Sequence, residues 1–565
     1  MVSKFFKLLN RDVATMNQAA LVLAVFSLLS QICGLLRDRL LASMVGPSAS
    51  LDVYYSSFRI PDFIYISIAS LFSVTVIIPF ITKYLAEQDG AKSANMKRFS
   101  DAIFTVYCLG MMMVCVIAFF LMPYLTRLTA PGFSVLQQAD LVLYSRVMLL
   151  SPFLMGLSSL LGSFAQVQKK FFSFAIAPLF YNVGILVGIL VLFPFFGILG
   201  VVLGVILGAV LHLSVQLPTL ISIGKLPALT RAIDWATIKE VVTSSIPRTL
   251  AMSLTNLTML MMSAVASLLV AGSISIFQLS YNIETVPLMI IGISYAVAAF
   301  PTMTRLFMEG QTKEFVDVIH RATRNIFFLS IPAAVLFIVL RAQLVRVLLG
   351  AGAFSWNDTR LVAASVALFC ISVTAQCMIL LLVRGFYAMG NTRTPLIVNG
   401  YSILFTGVSL AALLLCFREF PMFKDFLESL LRIDGAGGTS VVLLPLAFSL
   451  GQIGNAIALW VSFHKKVTGH VSETKELGRA LFHTFGAGII AGASAYGMLV
   501  LTGSWVNQEQ FLGIFTQGVL SGIVGVAMYA ITLMAMRNED IILFVQTLKS
   551  KFWKQKPLTE ELPEL

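Results

Sequence analysis

Ser30, Gly34 and Arg37 stand at i, i+4 and i+7, so a helix carries them on one face, with Gln31 and Asp38 on the adjacent stripe. Asp52, Tyr55, Arg59 and Asp62 follow a second stripe a short distance on, and Arg248, Asn256, Asn282 and Glu284 add polar groups near the middle of the chain. All sit in otherwise apolar segments. A charge in hydrocarbon costs roughly 2.5–3.5 kcal/mol on insertion scales, so such residues face a bundle interior or a watery cavity. The chemistry these types allow is binding. Guanidinium forks from Arg37, Arg59 and Arg248 suit an anionic headgroup, with Asp38 and Asp52 holding the arginines when that group is absent. Ser30, Asn256, Asn282 and Glu284 would add hydrogen bonds, while Gly34 before Arg37 and Pro247 before Arg248 open room. The alternative is internal pairing, Arg37 with Asp52 or Arg59 with Asp62, as locks between spans. For Arg39 and Asp62 pairing or snorkelling is the expectation.

The elements that position these groups are membrane helices. Of 565 residues 58% are hydrophobic and 12% charged, with mean hydropathy +0.90, against about 25% charged in soluble domains. Apolar stretches long enough for a ~30 Å hydrocarbon core recur from end to end, giving an all-α polytopic membrane protein. Lys4 and Lys7 precede an apolar run beyond Asn17 that is too long for a signal-peptide core, so the first helix is expected to stay as an anchor. The net charge of +12 gathers in alternate loops: Lys4, Lys7 and Arg11, then Lys83 to Arg98, Lys169 and Lys170, Lys225 and Arg231, Arg305 and Lys313, Lys465 to Lys475, and the tail lysines. The positive-inside rule then places both termini in the cytoplasm, and the distribution of the charge argues against nucleic acid as a partner. The six cysteines and five histidines show no metal-ligand spacing, and no Gly-x-x-x-x-Gly-Lys-Ser/Thr loop occurs. No metal, cofactor or nucleotide is expected.

Length and hydropathy predict about fourteen spans, near 17–44, 51–82, 99–125, 138–167, 171–194, 196–221, 238–271, 273–304, 317–341, 360–387, 393–417, 439–464, 478–502 and 510–536. Arg341 to Phe354 reads as a short amphipathic stretch, and Arg418 to Gly438 as an interfacial helix with a glycine-rich loop. The sequence repeats itself. Pro79-Phe-Ile-Thr-Lys83 and Pro301-Thr-Met-Thr-Arg305 match at 222 residues, Pro178-Leu-Phe-Tyr-Asn182 and Pro395-Leu-Ile-Val-Asn399 at 217. Copies six spans apart imply parallel repeats about an axis along the membrane normal, as in two-lobed transporters with a midplane site. The expected organisation is an N-lobe of six helices (about 1–221), a linker (222–237), a C-lobe of six (238–466), a C-terminal helix pair (467–536) and a tail (537–565). Pro61, Pro178, Pro247 and Pro395 are candidate kinks or hinges.

Several of these motifs together resemble the MurJ/MviN lipid II flippases of the multidrug/oligosaccharidyl-lipid/polysaccharide exporter superfamily. They are Ser30-x-x-x-Gly34-x-x-Arg37-Asp38 with Asp52, Thr129-Ala-Pro-Gly-Phe133, Gln216-Leu-Pro218, and Gly385-Phe-Tyr387 ahead of Thr392-Arg-Thr-Pro395. The resemblance covers essentially the whole chain. It implies fourteen helices, a lipid groove on the last two, and transfer of an undecaprenyl-pyrophosphate-linked peptidoglycan precursor to the outer leaflet. The head would be held by Arg37 and Arg248, tuned by Asp38 and Asp52. Members of the family carry further arginines where this chain has Gln31, Tyr65 and Asn282, and an acidic residue where it has Ser70. The cavity is therefore less cationic, with Arg248 compensating from the other lobe.

A lipid-linked anionic substrate, membrane lipids and cell-wall synthesis proteins are the expected partners of a monomeric transporter. Two rivals differ in chemistry. An exporter of another lipid-linked oligosaccharide, or a drug/cation antiporter, shares the lobes, though an antiporter's cavity should be dominated by carboxylates. A membrane enzyme acting on polyprenyl substrates needs an acidic or histidine cluster in a loop, where only Glu419, Asp425, Glu428 and Asp434 crowd together, at amphipathic spacing.

Overall fold

A computed structural model describes residues 16–68, 71, 92–167, 170–223, 226–467, 474–507, 510–538 and 540–542. Among them every regular element is helical. Ten helices are long and apolar enough to cross a membrane, and eleven with the bent pair Trp356–Cys370 and Val373–Ala388. The other three expected spans fall on Met16–Met44, on Ala49–Ser57 with Arg59–Ser67, and on Trp235–Ala266. Those three carry most of the polar candidates. The first copy of the Pro79 repeat lies outside the described residues.

The chain divides into two compact units. The first holds residues 1–281, 348–365 and 392–451, the second 282–347, 366–391 and 452–565. Their boundaries run through the eighth, tenth and twelfth spans.

In the first unit glycine sets how closely helices approach. The fifth span, Phe171–Val187 with a π turn at Gly188–Leu192, folds back at Gly197 into Ile198–Ser214. A Cβ on Gly188 would lie 2.5 Å from the Cα of Gly204. Backbone therefore packs on backbone, the contact that small residues allow where lipid supplies no hydrophobic drive. The second span breaks at Phe58, before Arg59–Ser67, which puts Pro61 in the first turn of a helix where its missing N–H costs nothing. The expected mid-span proline kink is thus a helix start.

The interfacial helix is Pro421–Leu431, with Phe420, Met422, Phe426 and Leu430 exposed and Leu427 and Leu431 buried. Arg360 donates to the carbonyls of Arg432 and Asp434 beyond its end, at 3.0 and 2.9 Å. Three of the four acidic residues there have partners: Glu428 accepts from Thr439, Asp434 from Ser429, and Glu419 pairs with Arg418.

The seventh span starts from a polar cap. Asp234 accepts from the Thr237 hydroxyl at 2.6 Å and from the N–H groups of Ala236 and Thr237. The Thr237 hydroxyl, then these N–H groups, hold its carboxyl below the usual carboxylate range. A lowered folded value stabilises above the unfolded carboxylate range and is lost as pH falls through it. Asp234→Ala should lower Tm slightly at neutral pH, and the difference from wild type should vanish by about pH 2 in a melting series.

In the second unit the C-terminal pair Thr474–Gly503 and Phe511–Ala535 packs on the ninth span, Thr312–Val339. Gly488 and Gly492 face Ile331, Val335 and Val339 of that span, and Gly525 meets Leu336 of the same span together with Ala491 and Ala495 of the partner helix. The Gly488-x-x-x-Gly492 motif is a seat for the ninth span.

Candidate substrate-binding site

The first unit collects polar groups along its first, second, fifth, seventh and eighth spans. Asn182 donates to the hydroxyl and carbonyl oxygens of Ser30, at 3.0 and 3.3 Å, tying the fifth span to the first. One turn along from Gly34, with open space around its Cα, Arg37 is partly exposed and pairs with buried Asp38 at 2.8 Å. Tyr54 and Tyr55 lie within electrostatic reach of this guanidinium. Tyr181 lies within reach of both Arg37 and Asp62.

Arg59 reaches from the second span to the eighth, donating to Gln278 Oε1 at 2.9 Å. Its Nε is buried with no hydrogen-bond partner, as are Tyr55 Oη and Asn256 Nδ2. Asn256 follows Ser253, whose hydroxyl meets that of Ser67 at 2.8 Å and joins the seventh span to the second. Asp62 is exposed and its carboxylate makes no hydrogen bond or ion pair among the described residues, although it lies within electrostatic range of Arg59.

Asp52 does something else. Its carboxylate accepts from Gly272 N at 2.7 Å, Ser275 N at 2.8 Å and Ser275 Oγ at 2.6 Å. It caps the start of the eighth-span helix Ser273–Pro287 from another span, at the positive end of the helix dipole. Nearby, Ala353 N donates to Ser43 O at 2.8 Å and Gly132 N to Ser267 Oγ at 3.1 Å. A Cβ on Gly132 would collide with the Ser267 carbonyl, and Gly352, at φ +57°, presses on that of Ser43. The charge-poor loops of this unit thus form one tight seal, and the Thr-Ala-Pro-Gly-Phe motif is part of it.

The two locks named as the alternative are therefore not formed among the described residues. Arg37 pairs with Asp38 and Asp52 with a helix start, because three aligned donors outcompete one distant guanidinium. Arg59 turns to Gln278 and leaves Asp62 open. Asn282 and Glu284 belong to the second unit, where Gln376 Nε2 donates to Glu284 Oε1 at 2.7 Å. Arg248 lies on Trp235–Ala266, but its side chain is outside the described residues, as is Ser70. Sequence reasoning missed Gln278 and Tyr181, neutral residues that carry no signal in an apolar chain. It used Asn182 only as a repeat marker.

A family model described as lipid II flippase MurJ matches residues 41–516. The chain belongs to the lipid II flippase MurJ family. A probable lipid II flippase MurJ of Rhizobium tropici is 28% identical over 382 residues, covering 65% of this chain and 70% of that protein. The lipid II flippase MurJ of Burkholderia cenocepacia is 24% identical over 387 residues, covering 67% and 74%. Among solved structures, a lipid II flippase MurJ in an inward closed conformation superposes with TM-score 0.69 at 17% identity, over 91% of this chain and all of that one. A multidrug resistance transporter of the MOP superfamily gives 0.61 at 13%, over 81% and 99%. The all-α polytopic membrane fold expected from the sequence is thus that of the MurJ family and, more widely, of this superfamily. Membership of a transporter family, with a shared fold, says what class of work the polar groups serve.

Proposed function

We propose that this chain moves the undecaprenyl-pyrophosphate-linked peptidoglycan precursor, lipid II, from the inner to the outer leaflet by alternating access, and is not an enzyme. Family membership supports the cargo. The observation that carries the site is the set of donors left without acceptors in the first unit: Arg59 Nε, Tyr55 Oη and Asn256 Nδ2, with a partly exposed Arg37 within electrostatic reach of Tyr55. Buried donors are nearly always paired, so a cluster of spare ones beside cations fits an anionic head that arrives later. Arg37, Arg59 and Arg248 would hold the pyrophosphate, with Ser30 and Asn256 as further polar contacts and Gly34 as clearance. Asp38 positions Arg37. Asp52 serves by sealing the far end while the head is loaded. The two lobes, the C-terminal pair as a track for the prenyl tail, a monomeric state, cytoplasmic termini in a bacterial inner membrane and contact with cell-wall synthesis proteins complete the proposal.

The test is complementation of a flippase-depleted cell, scored by accumulation of lipid-linked precursor. Wild type should clear the precursor. Arg37→Lys and Arg59→Lys keep the charge but lose the fork, and should each cut export about tenfold or more, since a charge-assisted hydrogen bond is worth about 1.5–3 kcal/mol. Full export by Arg37→Ala and by Arg59→Ala at normal protein levels would overturn the site assignment. Failure of wild type to complement, with export of another lipid-linked oligosaccharide, would overturn the cargo.

A further inference from the structure

The second unit holds a carboxyl that no cation among the described residues answers. Glu284 is fully buried on the eighth span, just ahead of the π turn Leu288–Ile293. Gln376 donates to its Oε1 at 2.7 Å and to Ser372 Oγ at 3.0 Å. The second oxygen, Oε2, is buried without a hydrogen-bond partner. The titratable groups within electrostatic range are two buried thiols, Cys370 and Cys377, one on each arm of the bent span. No Lys, Arg or His among the described residues makes an ion pair with it.

A carboxylate so placed would pay for an unpaired charge in an apolar surround, which costs far more than the about 1–3 kcal/mol of one unpaired neutral polar atom. This packing accepts the neutral acid. The surroundings are also irregular. Trp356–Cys370 and Val373–Ala388 meet at a 45° bend, and Gln376 and Ser372 sit at that break. A Cβ on Gly292 in the π turn would lie 3.0 Å from Cys377 Sγ, so the irregular turn of the eighth span touches the second arm of the bent span just beyond its break. A π turn and a helix break are places where backbone bonds can be exchanged without unwinding a whole span.

We propose that Glu284 is a proton-binding site whose deprotonation parts the eighth span from the bent span at Ile371–Ser372, coupling movement of the second unit to protons. The proton leaves the carboxyl for water admitted at the open break and returns from water on the side exposed next. Use of this step to move cargo rests on the transporter reading; the protonation and the opening do not.

The experiment therefore reads the site alone. In liposomes, protein keeping only Cys377 is labelled with a small maleimide across about pH 6 to 9, and the same is done in Glu284→Gln. A charged Glu284 disfavours ionisation of the Cys377 thiol in the wild type alone, so an excess of wild-type labelling reports opening and not thiol ionisation. Wild type should exceed Glu284→Gln by about tenfold at the alkaline end and match it at the acid end. Equal labelling throughout overturns the proposal. Infrared difference spectra of the wild type, with glutamate isotopically labelled, provide a measure that needs no variant. A neutral-carboxyl band at neutral pH that disappears reversibly on alkalinisation supports the site, and its absence overturns it.

Discussion

Asp52→Ala should break the seal of the first unit and stop export. The substitution removes the acceptor of three short hydrogen bonds and leaves Gly272 N, Ser275 N and Ser275 Oγ to find others. Hydrogen bonds to a charged group are worth about 1.5–3 kcal/mol, and removing one partner of a buried set costs more than the pair is worth intact. Allowing for non-additivity, the seal loses on the order of 4 kcal/mol, about a thousandfold in the ratio of sealed to open forms. Asp52→Asn keeps one acceptor oxygen and should fall between. In a cysteine-free background, cysteines at positions 43 and 353, whose backbones meet at 2.8 Å, report the seal through a short bifunctional thiol reagent. Cross-linking should be efficient with Asp52 and weak with alanine. Unchanged cross-linking would mean that the glycine contacts hold this end without the carboxylate.

Gly204→Val should be strongly destabilising to the packing of the fifth and sixth spans. The nearest obstacle is Gly188 Cα, 2.5 Å from where the new Cβ would sit, so relief requires the two helices to move apart and not one side chain to turn. Overpacking of this kind costs about 3 kcal/mol or more. Thermal unfolding in detergent should show Tm lower by about 5 °C or more, with export falling in step with folded protein. Gly110→Val is the control. Gly110 has open space around it, so stability should change by no more than about 0.5 kcal/mol. Equal losses at both positions would sink the packing explanation.

Legibility of the site followed from what each residue type must do. Arg37 and Arg59 announced themselves, because a guanidinium in an apolar run always needs a reason. Their partners did not. Gln278 is neutral, and the donors it meets arrive from 219 residues away. Asp52 was visible as a charge, but its role depends on a helix start that no local pattern connects to it. Glu284 looked like one more polar contact, yet its surroundings are apolar apart from one amide and a few small groups.

The sequence by itself determined the class of the molecule, the approximate spans, the all-α fold and the family, since hydrocarbon imposes one rule on every segment and that rule is written in composition and period. Its glycine and proline motifs marked where chains approach or begin. The tertiary structure alone decided who pairs with whom. It gave Asp52 to a helix N-terminus and Arg37 to Asp38, broke the second span at Phe58 and the tenth at Ile371, and seated the C-terminal glycines on the ninth span. Pairing in a low-dielectric interior goes to the donors that arrive aligned and close, and alignment between distant segments is a property of packing that no local spacing encodes.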